Sequence, residues 1–381
     1  MYTDKLMWKI LSTDNLNQAI KQVRKNKGKP GVDGMTVDEV KMYFVRHESE
    51  LRKQIRQRTY KPQPVLRVEI PKPNGDVRLL GIPTVVDRVI QQAIAQVIGP
   101  IFDKQFSEYS YGFRPRKRAE MAIQQALEFM NDGYQWIVDI DLERFFDTVN
   151  HDRLMNLVSN SIKDGDVISL IRKYLVSGIS TDEGFIESPI GTPQGGNLSP
   201  LLSNIMLHEL DKELHSRNLR FVRYADDCII FVKSEMAARR VMRNIVHFIE
   251  EKLGLIVNAE KSKIIRPNDP DFKFLGFGFY WDWQEKNYQP KPHAISVNNF
   301  RKKIKDLTKR NWGVSTSYRI EKLNEKIRGW VNYFRITKMK TILEKMDSNM
   351  RVRLRMCIWK QWKTPKNRRK HLRKLGMSKN D

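Results

Sequence analysis

Cysteine is almost missing from this 381-residue chain, with Cys228 and Cys357 the only two. A disulfide framework is thereby excluded, and two free thiols in a reducing cytoplasm are expected. The seven histidines never fall beside cysteine at zinc-ligand spacing, which excludes a structural zinc. No apolar run approaches the roughly 18 residues of a membrane-spanning helix. The first twenty residues, "MYTDKLMWKILSTDNLNQAI", are broken by charge and lack a signal-peptide core. No internal repeat appears at solenoid periods. The expectation is a cytoplasmic protein with no membrane partner.

Acidic residues are scarce at one end only. Residues 291–381 hold 27 Lys/Arg against 6 Asp/Glu, a net of +21, whereas residues 1–290 hold 42 against 38, a net of +4. The whole chain carries +25. An excess so localised points to a polyanionic partner, with nucleic acid favoured over an anionic membrane surface. The nearly balanced remainder has the composition of an ordinary enzyme, with 40% apolar and 10% aromatic residues overall.

Periodicity organises the chain as mixed α+β followed by helices. Residues 1–60 read as helical, broken by the Gly/Pro loop "GKPGVDGMT" (28–36). "VLRVEIPKPNGDVRLLGIP" (65–83) reads as a hairpin turning at Pro73-Asn74-Gly75-Asp76. Helices are expected after it, in "TVVDRVIQQAIAQVIGPIF" (84–102) and over about 118–131. "YQWIVDIDL" (134–142) alternates as a strand, "NHDRLMNLVSN" resumes helix, and 184–190 is a candidate short strand. Ser199 followed by Pro200 reads as an N-cap opening a helix. A β-hairpin over 219–232, a helix over 235–253 and strands in "LIVNAEKSKII" and "FKFLGFGFY" follow. Pro290 and Pro292 bracket an expected boundary, beyond which 298–362 reads as basic amphipathic helices and the remainder as a basic tail. In "IEKLNEKIRGWVNYF", Ile320, Leu323, Ile327, Trp330 and Phe334 form one expected buried stripe. Most of the aromatics among Trp312, Trp330, Tyr333, Phe334, Trp359 and Trp362 are assigned to core.

Two carboxylate clusters stand at strand ends. "FVRYADDCIIFV" places Asp226 and Asp227 in a hairpin turn, where adjacent like charges need compensating positive charge. "IVDIDLERFFDTVNHD" ends another strand with Asp139 and Asp141, which alternation puts on one face. If the strands are neighbours, one of that pair and Asp226 can together hold two Mg²⁺ ions. Such ions, about 3.5–4 Å apart, clamp the oxygens of an in-line phosphoryl displacement. Mg²⁺ takes few carboxylates and completes its shell with substrate oxygens, which suits so sparse a ligand set.

Tyr224-Ala225-Asp226-Asp227 resembles the Y-x-D-D box of reverse transcriptases. Over residues 28–335 the segments "GKPGVDGMT", "IPKPNGDVRLLGIP", "DRVIQQAI", "YSYGFRP", "DIDLERFFDTVNHD", "IGTPQGGNLSPLLSNI", "GLIVNAEKSKI" and "FLGFGF" stand in the order of the group II intron-encoded reverse transcriptase/maturase class. "IRGWVNYFRI" is similar to that family's thumb, or domain X. The resemblance implies a right-hand polymerase, with fingers and palm built on antiparallel sheet and followed by an all-helical thumb. It implies an N-terminal extension and start of fingers over 1–60, fingers and palm over 61–290, thumb over 291–362, and a basic tail over 363–381 that resembles a shortened DNA-binding region. The Cys/His-rich endonuclease domain of the family has no counterpart among so few cysteines.

Residue by residue, the resemblance implies Asp141, Asp226 and Asp227 as catalytic carboxylates and metal ligands. Asp227 contributes field more than full coordination, and the Leu142 carbonyl is a further donor. Phe146 matches the bulky gate against a ribose 2′-hydroxyl, although core packing would equally suit a Phe-Phe pair. Lys72 and Arg78 match residues that grip the triphosphate, Gln194 a residue near the incoming nucleotide, and Lys261 one that assists pyrophosphate departure. The implied cofactor is a pair of Mg²⁺ ions, with Mn²⁺ able to substitute. The implied partners are an RNA template, a DNA or RNA primer, dNTPs and group II intron RNA. Basic residues of the C-terminal helices, namely Arg328, Arg335, Lys338, Arg351, Arg353, Arg355, Lys360, Lys363, Arg368 and Arg369, are expected to meet nucleic-acid backbone. The expected activity is RNA-directed DNA synthesis with a maturase role in splicing and retrohoming. The alternatives are a domesticated relative in phage defence or DNA repair, and an RNA-binding splicing chaperone without polymerase activity.

Overall fold

Helix-start chemistry shapes the first segment: Ser12 accepts from the Asn15 amide and opens α2 (Thr13–Asn26), which follows the short α1 (Leu6–Ile10). The computed structural model describes residues 5–71 and 77–378. After the 28–36 loop comes α3 (Val40–Arg56). The expected hairpin forms from β1 (Val65–Pro71) and β2 (Val77–Ile82), antiparallel with Leu66 opposite Ile82. Its turn lies outside the described residues. Thr84 caps α4 (Val85–Asp103) through the Asp87 amide, and the Asp87 carboxylate accepts in return from the Thr84 hydroxyl and the Tyr60 hydroxyl.

Next come α5 (Ala119–Asn131), β3 (Trp136–Ile140), the single turn α6 (Phe145–Thr148), α7 (His151–Ser161) and α8 (Gly165–Leu175). The sequence reading did not single out α8, although Asp164 caps it through two amides and its apolar face is buried. The strand expected over 184–190 is only β5 (Gly184–Ile186), paired with β4 (Ile179–Thr181). Helix α9 (Ser199–Ser216) starts one residue early, with Leu198 at the N-cap. The Ser199 hydroxyl donates to the Pro193 carbonyl instead of capping.

The second hairpin is β6 (Arg220–Tyr224) and β7 (Asp227–Val232), followed by α10 (Glu235–His247), a π-helical turn (Phe248–Leu253) and β8 (Lys263–Ile265). Strands β9 (Phe277–Asp282) and β10 (Asn287–Pro292) form a separate two-stranded sheet. Pro290 and Pro292 lie inside β10, opposite Phe279 and Phe277, rather than in a linker. A two-stranded sheet has only edge strands, which is where proline is tolerated. Four helices close the described chain: α11 (Ala294–Leu307), α12 (Thr316–Tyr333), α13 (Lys340–Gln361) and α14 (Pro365–Lys374). Helix α14 stands where a tail was expected, because Thr364 caps it and Pro365 occupies its first turn.

The chain packs as two units, one running to Ala122 and resuming over Tyr134–Ile264, the other formed by Ile123–Gly133 and the residues from Ile265 on. In the first, the sheet order β6-β7-β3-β8 surrounds an apolar centre of Val138, Ile140, Phe221 and Ile230. The other four-stranded sheet, β2-β1-β4-β5, is mixed, because β1 and β4 run parallel. The expectation of antiparallel sheet therefore holds for the β6–β7 and β7–β3 pairings of the first sheet and fails at β1–β4 of the second. In the second unit Val297, Phe300, Ile304, Leu323 and Met346 form a small core. Ile320 is exposed and Arg319 is buried, its guanidinium donating to the carbonyls of Leu307, Lys309 and Trp312. The stripe therefore keeps Leu323 and Phe334 but loses its first member. Tyr333 and Trp359 are likewise exposed rather than core. Both cysteines are buried free thiols, and burial raises the Cys228 thiol far above the ordinary range.

Candidate active site

Strand pairing brings the two carboxylate clusters together. β3 runs antiparallel to β7 with Ile140 opposite Cys228, so the end of β3 meets the turn of the second hairpin. Asp141 follows that end, and Ala225-Asp226 form the two-residue turn, Tyr224 pairing with Asp227. A cavity of about 650 Å³ gathers Asp141, Asp226, Phe146, Gln194, Arg78 and Lys261. Leu142 also lines it and bridges to Val257. Asp139 sits within β3 opposite Ile229, and Asp227 is an exposed first residue of β7. Neither is among the described residues lining the cavity. Lys72 lies outside the described residues.

Burial raises the Asp226 carboxyl above its ordinary value, and the negative charge of Asp141 raises it further, against the pull of Arg78 and Arg223. A buried carboxylate beside a second one in the same cleft is a donor set suited to a divalent cation. No cluster of three or more ligating His, Cys, Asp or Glu side chains occurs among the described residues. The protein side of such a site is therefore sparse, as Mg²⁺ accepts when substrate oxygens complete its shell.

Asp141 is held through its backbone. Its amide donates to the Ser262 hydroxyl at 3.0 Å, and its carbonyl accepts from the Asn258 amide at 2.9 Å. The Asn258 side chain in turn accepts from the amides of Glu260 and Lys261, closing an Asx turn. The Lys261 ammonium stands 3.7 Å from the Asp141 carboxylate. Phe145 and Phe146 divide their labour: Phe145 is core at 2% exposure, while Phe146 is half-buried, edge-on to Phe145, and faces the cavity.

Gln194 accepts from the Arg78 guanidinium at 3.2 Å, and its carbonyl accepts from the Gly81 amide at 2.8 Å. The first hairpin and the 191–196 loop are thus joined at Gln194. Gly195 makes that approach feasible: its φ is +127°, and a Cβ there would lie 2.6 Å from the Gly81 carbonyl oxygen. From the other side, the buried His151 ring nitrogen hydrogen-bonds the Gly191 carbonyl at 2.5 Å, and the Thr192 amide donates to the Phe146 carbonyl at 2.6 Å.

Sequence reasoning missed Ser262, Asn258 and His151 as supports, and it missed Arg223. The first three lay within quoted segments, where "NAEKS" carried an Asx-turn signal that went unused. Arg223 was hidden by its neighbours, since an arginine between Val222 and Tyr224 in a strand reads as an exposed polar position. It is in fact fully buried.

The basic residues of the second unit are unequal. Lys338 pairs with Asp282 at 3.1 Å and Arg351 with Asp347 at 2.7 Å. The Arg353 guanidinium donates to the Thr308 hydroxyl, and Arg368 lies over the Trp359 ring. Arg328, Arg335, Arg355, Lys360, Lys363 and Arg369 are exposed. No described helix is long and apolar enough to cross a membrane.

Comparisons with known proteins identify the family. Residues 70–279 match the family "Reverse transcriptase (RNA-dependent DNA polymerase)", more than half of the chain, and residues 297–376 match "Group II intron, maturase-specific domain". The chain is 34% identical to Protein YkfC of Escherichia coli over 65% of its own length and 74% of that protein's. It is 28% identical to the putative COX1/OXI3 intron 2 protein of Saccharomyces cerevisiae, covering 71% of this chain and 38% of the relative. Identity to the group II intron-encoded protein LtrA of Lactococcus lactis is 36% over 54% of this chain and 34% of the relative. The chain thus spans three-quarters of one relative and about a third of the other two. With its reverse-transcriptase domain, that of an RNA-directed DNA polymerase, and its maturase-specific domain, the chain belongs to the group II intron reverse transcriptase/maturase family.

Proposed function

We propose that this chain extends a DNA or RNA primer with dNTPs on an RNA template, using a right-hand arrangement of fingers, palm and thumb. In this reading the first hairpin belongs to the fingers, the β6-β7-β3-β8 sheet to the palm and α11–α14 to the thumb. The observation that carries it is the single cavity shared by Asp141, Asp226, Phe146, Gln194, Arg78 and Lys261.

Asp141 and Asp226, with the Leu142 carbonyl, are the groups that would hold Mg²⁺. When bound, it supplies activation of the primer 3′-hydroxyl and neutralisation of phosphate charge. The remaining work belongs to the side chains. Arg78, held by Gln194, offers a planar fork to the triphosphate, and Lys72 and Lys261 offer point charges. Lys261 approaches Asp141 from the 258–262 turn, and in this reading it donates a proton or neutralises charge as pyrophosphate leaves. Phe146 presents its ring where a ribose 2′-hydroxyl would collide. Positioning and preorganised charge supply most of the acceleration.

The maturase-specific match supports a second role for the same chain, in which α11–α14 grip group II intron RNA and aid its folding for splicing and retrohoming. The helices carry the charge for this, since residues 291–381 hold almost all of the excess.

Primer extension on a DNA-primed RNA template tests the polymerase reading. Asp141→Ala and Asp226→Ala should each abolish synthesis while RNA affinity stays near wild type. Substantial residual synthesis by both purified variants overturns it. Splicing of a group II intron transcript by an Asp226→Ala/Asp227→Ala variant tests the maturase reading, because that activity should survive loss of the polymerase.

A further inference from the structure

We propose that Arg223 is a positioning residue for Asp226, its buried guanidinium holding from below the turn carbonyl that sets where the Asp226 carboxylate points. The inference rests on the polymerase reading above and adds to it a residue that never touches substrate.

The guanidinium of Arg223 is spent entirely inside the fold. Its Nε and one terminal nitrogen donate to the two Asp211 carboxylate oxygens at 2.7 and 2.6 Å. The other terminal nitrogen donates to the Asn204 amide oxygen at 3.0 Å and to the Ala225 carbonyl at 2.9 Å. Asn204 donates onward to the Gly112 carbonyl at 2.9 Å. Arg223 and Asp211 are both fully buried.

Ala225 needs such a hold. It takes φ of 58° at the first position of a two-residue turn, a place usually kept for glycine. A non-glycine residue held there costs about 1–3 kcal/mol and persists only when its surroundings over-determine it. The surroundings here come from three sides. Arg223 fixes the carbonyl of Ala225. The Arg223 amide donates to the Tyr109 carbonyl, and the Tyr111 amide donates to the Arg223 carbonyl. Gly112 packs so closely that a Cβ on it would overlap the Ala225 nitrogen. The "YSYGF" segment thus acts as a brace against the turn.

An ion pair this buried is weak evidence for stability, because well-packed apolar residues of similar volume often stabilise as much or more. Its directional bond to Ala225 is what an apolar pair could not reproduce. A lysine could keep the charge of the pair but not the planar fork that reaches Asp211, Asn204 and Ala225 together.

The test compares wild type, Arg223→Lys, the apolar double variant Asp211→Leu/Arg223→Met, and Asp226→Ala as the control for site-specific Mn²⁺. Four quantities are measured on the full chain: thermal midpoint, Mn²⁺ binding by electron paramagnetic resonance, kcat and KM for dTTP on a DNA-primed poly(A) template, and amide exchange across residues 224–228 without metal. Expected is a double variant with a near-wild-type midpoint, faster exchange confined to the turn, and Mn²⁺ binding or kcat weakened about 10- to 100-fold. KM should move much less. Should the double variant fail to fold, Arg223→Lys decides, with the same local exchange and a smaller loss. A folded variant with wild-type turn exchange, Mn²⁺ affinity and kcat overturns the inference. Failure of the polymerase reading looks different: wild type binds Mn²⁺ in a manner lost in Asp226→Ala, yet extends no primer.

Discussion

Phe146 and Phe145 show how one residue's surroundings separate two identical side chains. Phe145 is packed in the core at 2% exposure, although it also borders the cavity. Phe146 lines the cavity beside Asp141 and Asp226. It also packs against the core, so truncating it removes bulk from the cleft at some cost in packing. Phe146→Ala should lower the preference for dNTP over NTP by about 10- to 100-fold, the range a steric difference of this size supports. Competing dTTP and UTP incorporation on one RNA template measures it. An unchanged ratio in an active variant would reassign Phe146 to packing. The alternation of "DIDLERFF" could mark both rings as apolar but could not say which faced solvent, since the chain leaves the strand before reaching them.

At the scale of elements, α9 and β6 are joined by the Asp211–Arg223 pair. Burial works to raise the Asp211 carboxyl, but Arg223 outweighs it and holds the carboxyl below the usual range. A depressed folded value contributes stability that is fully present above the unfolded pKa and is lost as pH falls through the folded one. Asp211→Asn should therefore cost about 3–5 kcal/mol at pH 7, because Arg223 is left as an uncompensated buried charge. The gap to wild type should narrow as pH falls below about 4, where Asp211 takes up a proton in the unfolded chain before it does in the folded one. Urea midpoints at pH 7 and pH 3 measure both quantities, and a gap that does not narrow would show that Asp211 is not the group responsible.

These elements were partly legible. The first hairpin, the central strand over 136–140 and the hairpin that carries Asp226 follow from local patterns of β-branched residues and turn chemistry. Helix α8 and strand β10 were not read. The two prolines in β10 argue locally for a break, yet a two-stranded sheet leaves room for residues that cannot donate. Ile320 was misplaced because a helical stripe gives direction but not extent, and Arg319 beside it satisfies three carbonyls that an apolar residue would leave bare.

At the scale of the molecule, charge is what a polyanion would meet. Arg355, Lys360 and Lys363 are exposed on the last helices, whereas Arg351 is neutralised by Asp347. Removing one cation from the phosphate backbone should flatten the plot of log affinity against log salt by about 0.7 for a single strand. Arg355→Ala/Lys360→Ala/Lys363→Ala should then flatten it by about 2, and Arg351→Ala by much less. Fluorescence anisotropy with a labelled single-stranded RNA from 50 to about 300 mM KCl reads the slope, and equal effects from both variants would contradict the distinction.

The sequence alone determined the α+β order and the basic C-terminal quarter, because each depends on residue type, spacing and summed charge along the chain, and the reaction class followed from the resemblance of its motifs to the reverse transcriptases. It also singled out Asp141 and Asp226 through a motif. Tertiary structure decided the rest: Asp141 and Asp226 line the cavity while Asp139 and Asp227 do not, Phe146 is half-buried while Phe145 is fully packed, and Arg223 lies beneath the turn. Those distinctions depend on which strands become neighbours and on how buried charges find partners. Neither is encoded in any local stretch, since Asp211, Asn204 and Gly112 reach the turn from separate segments.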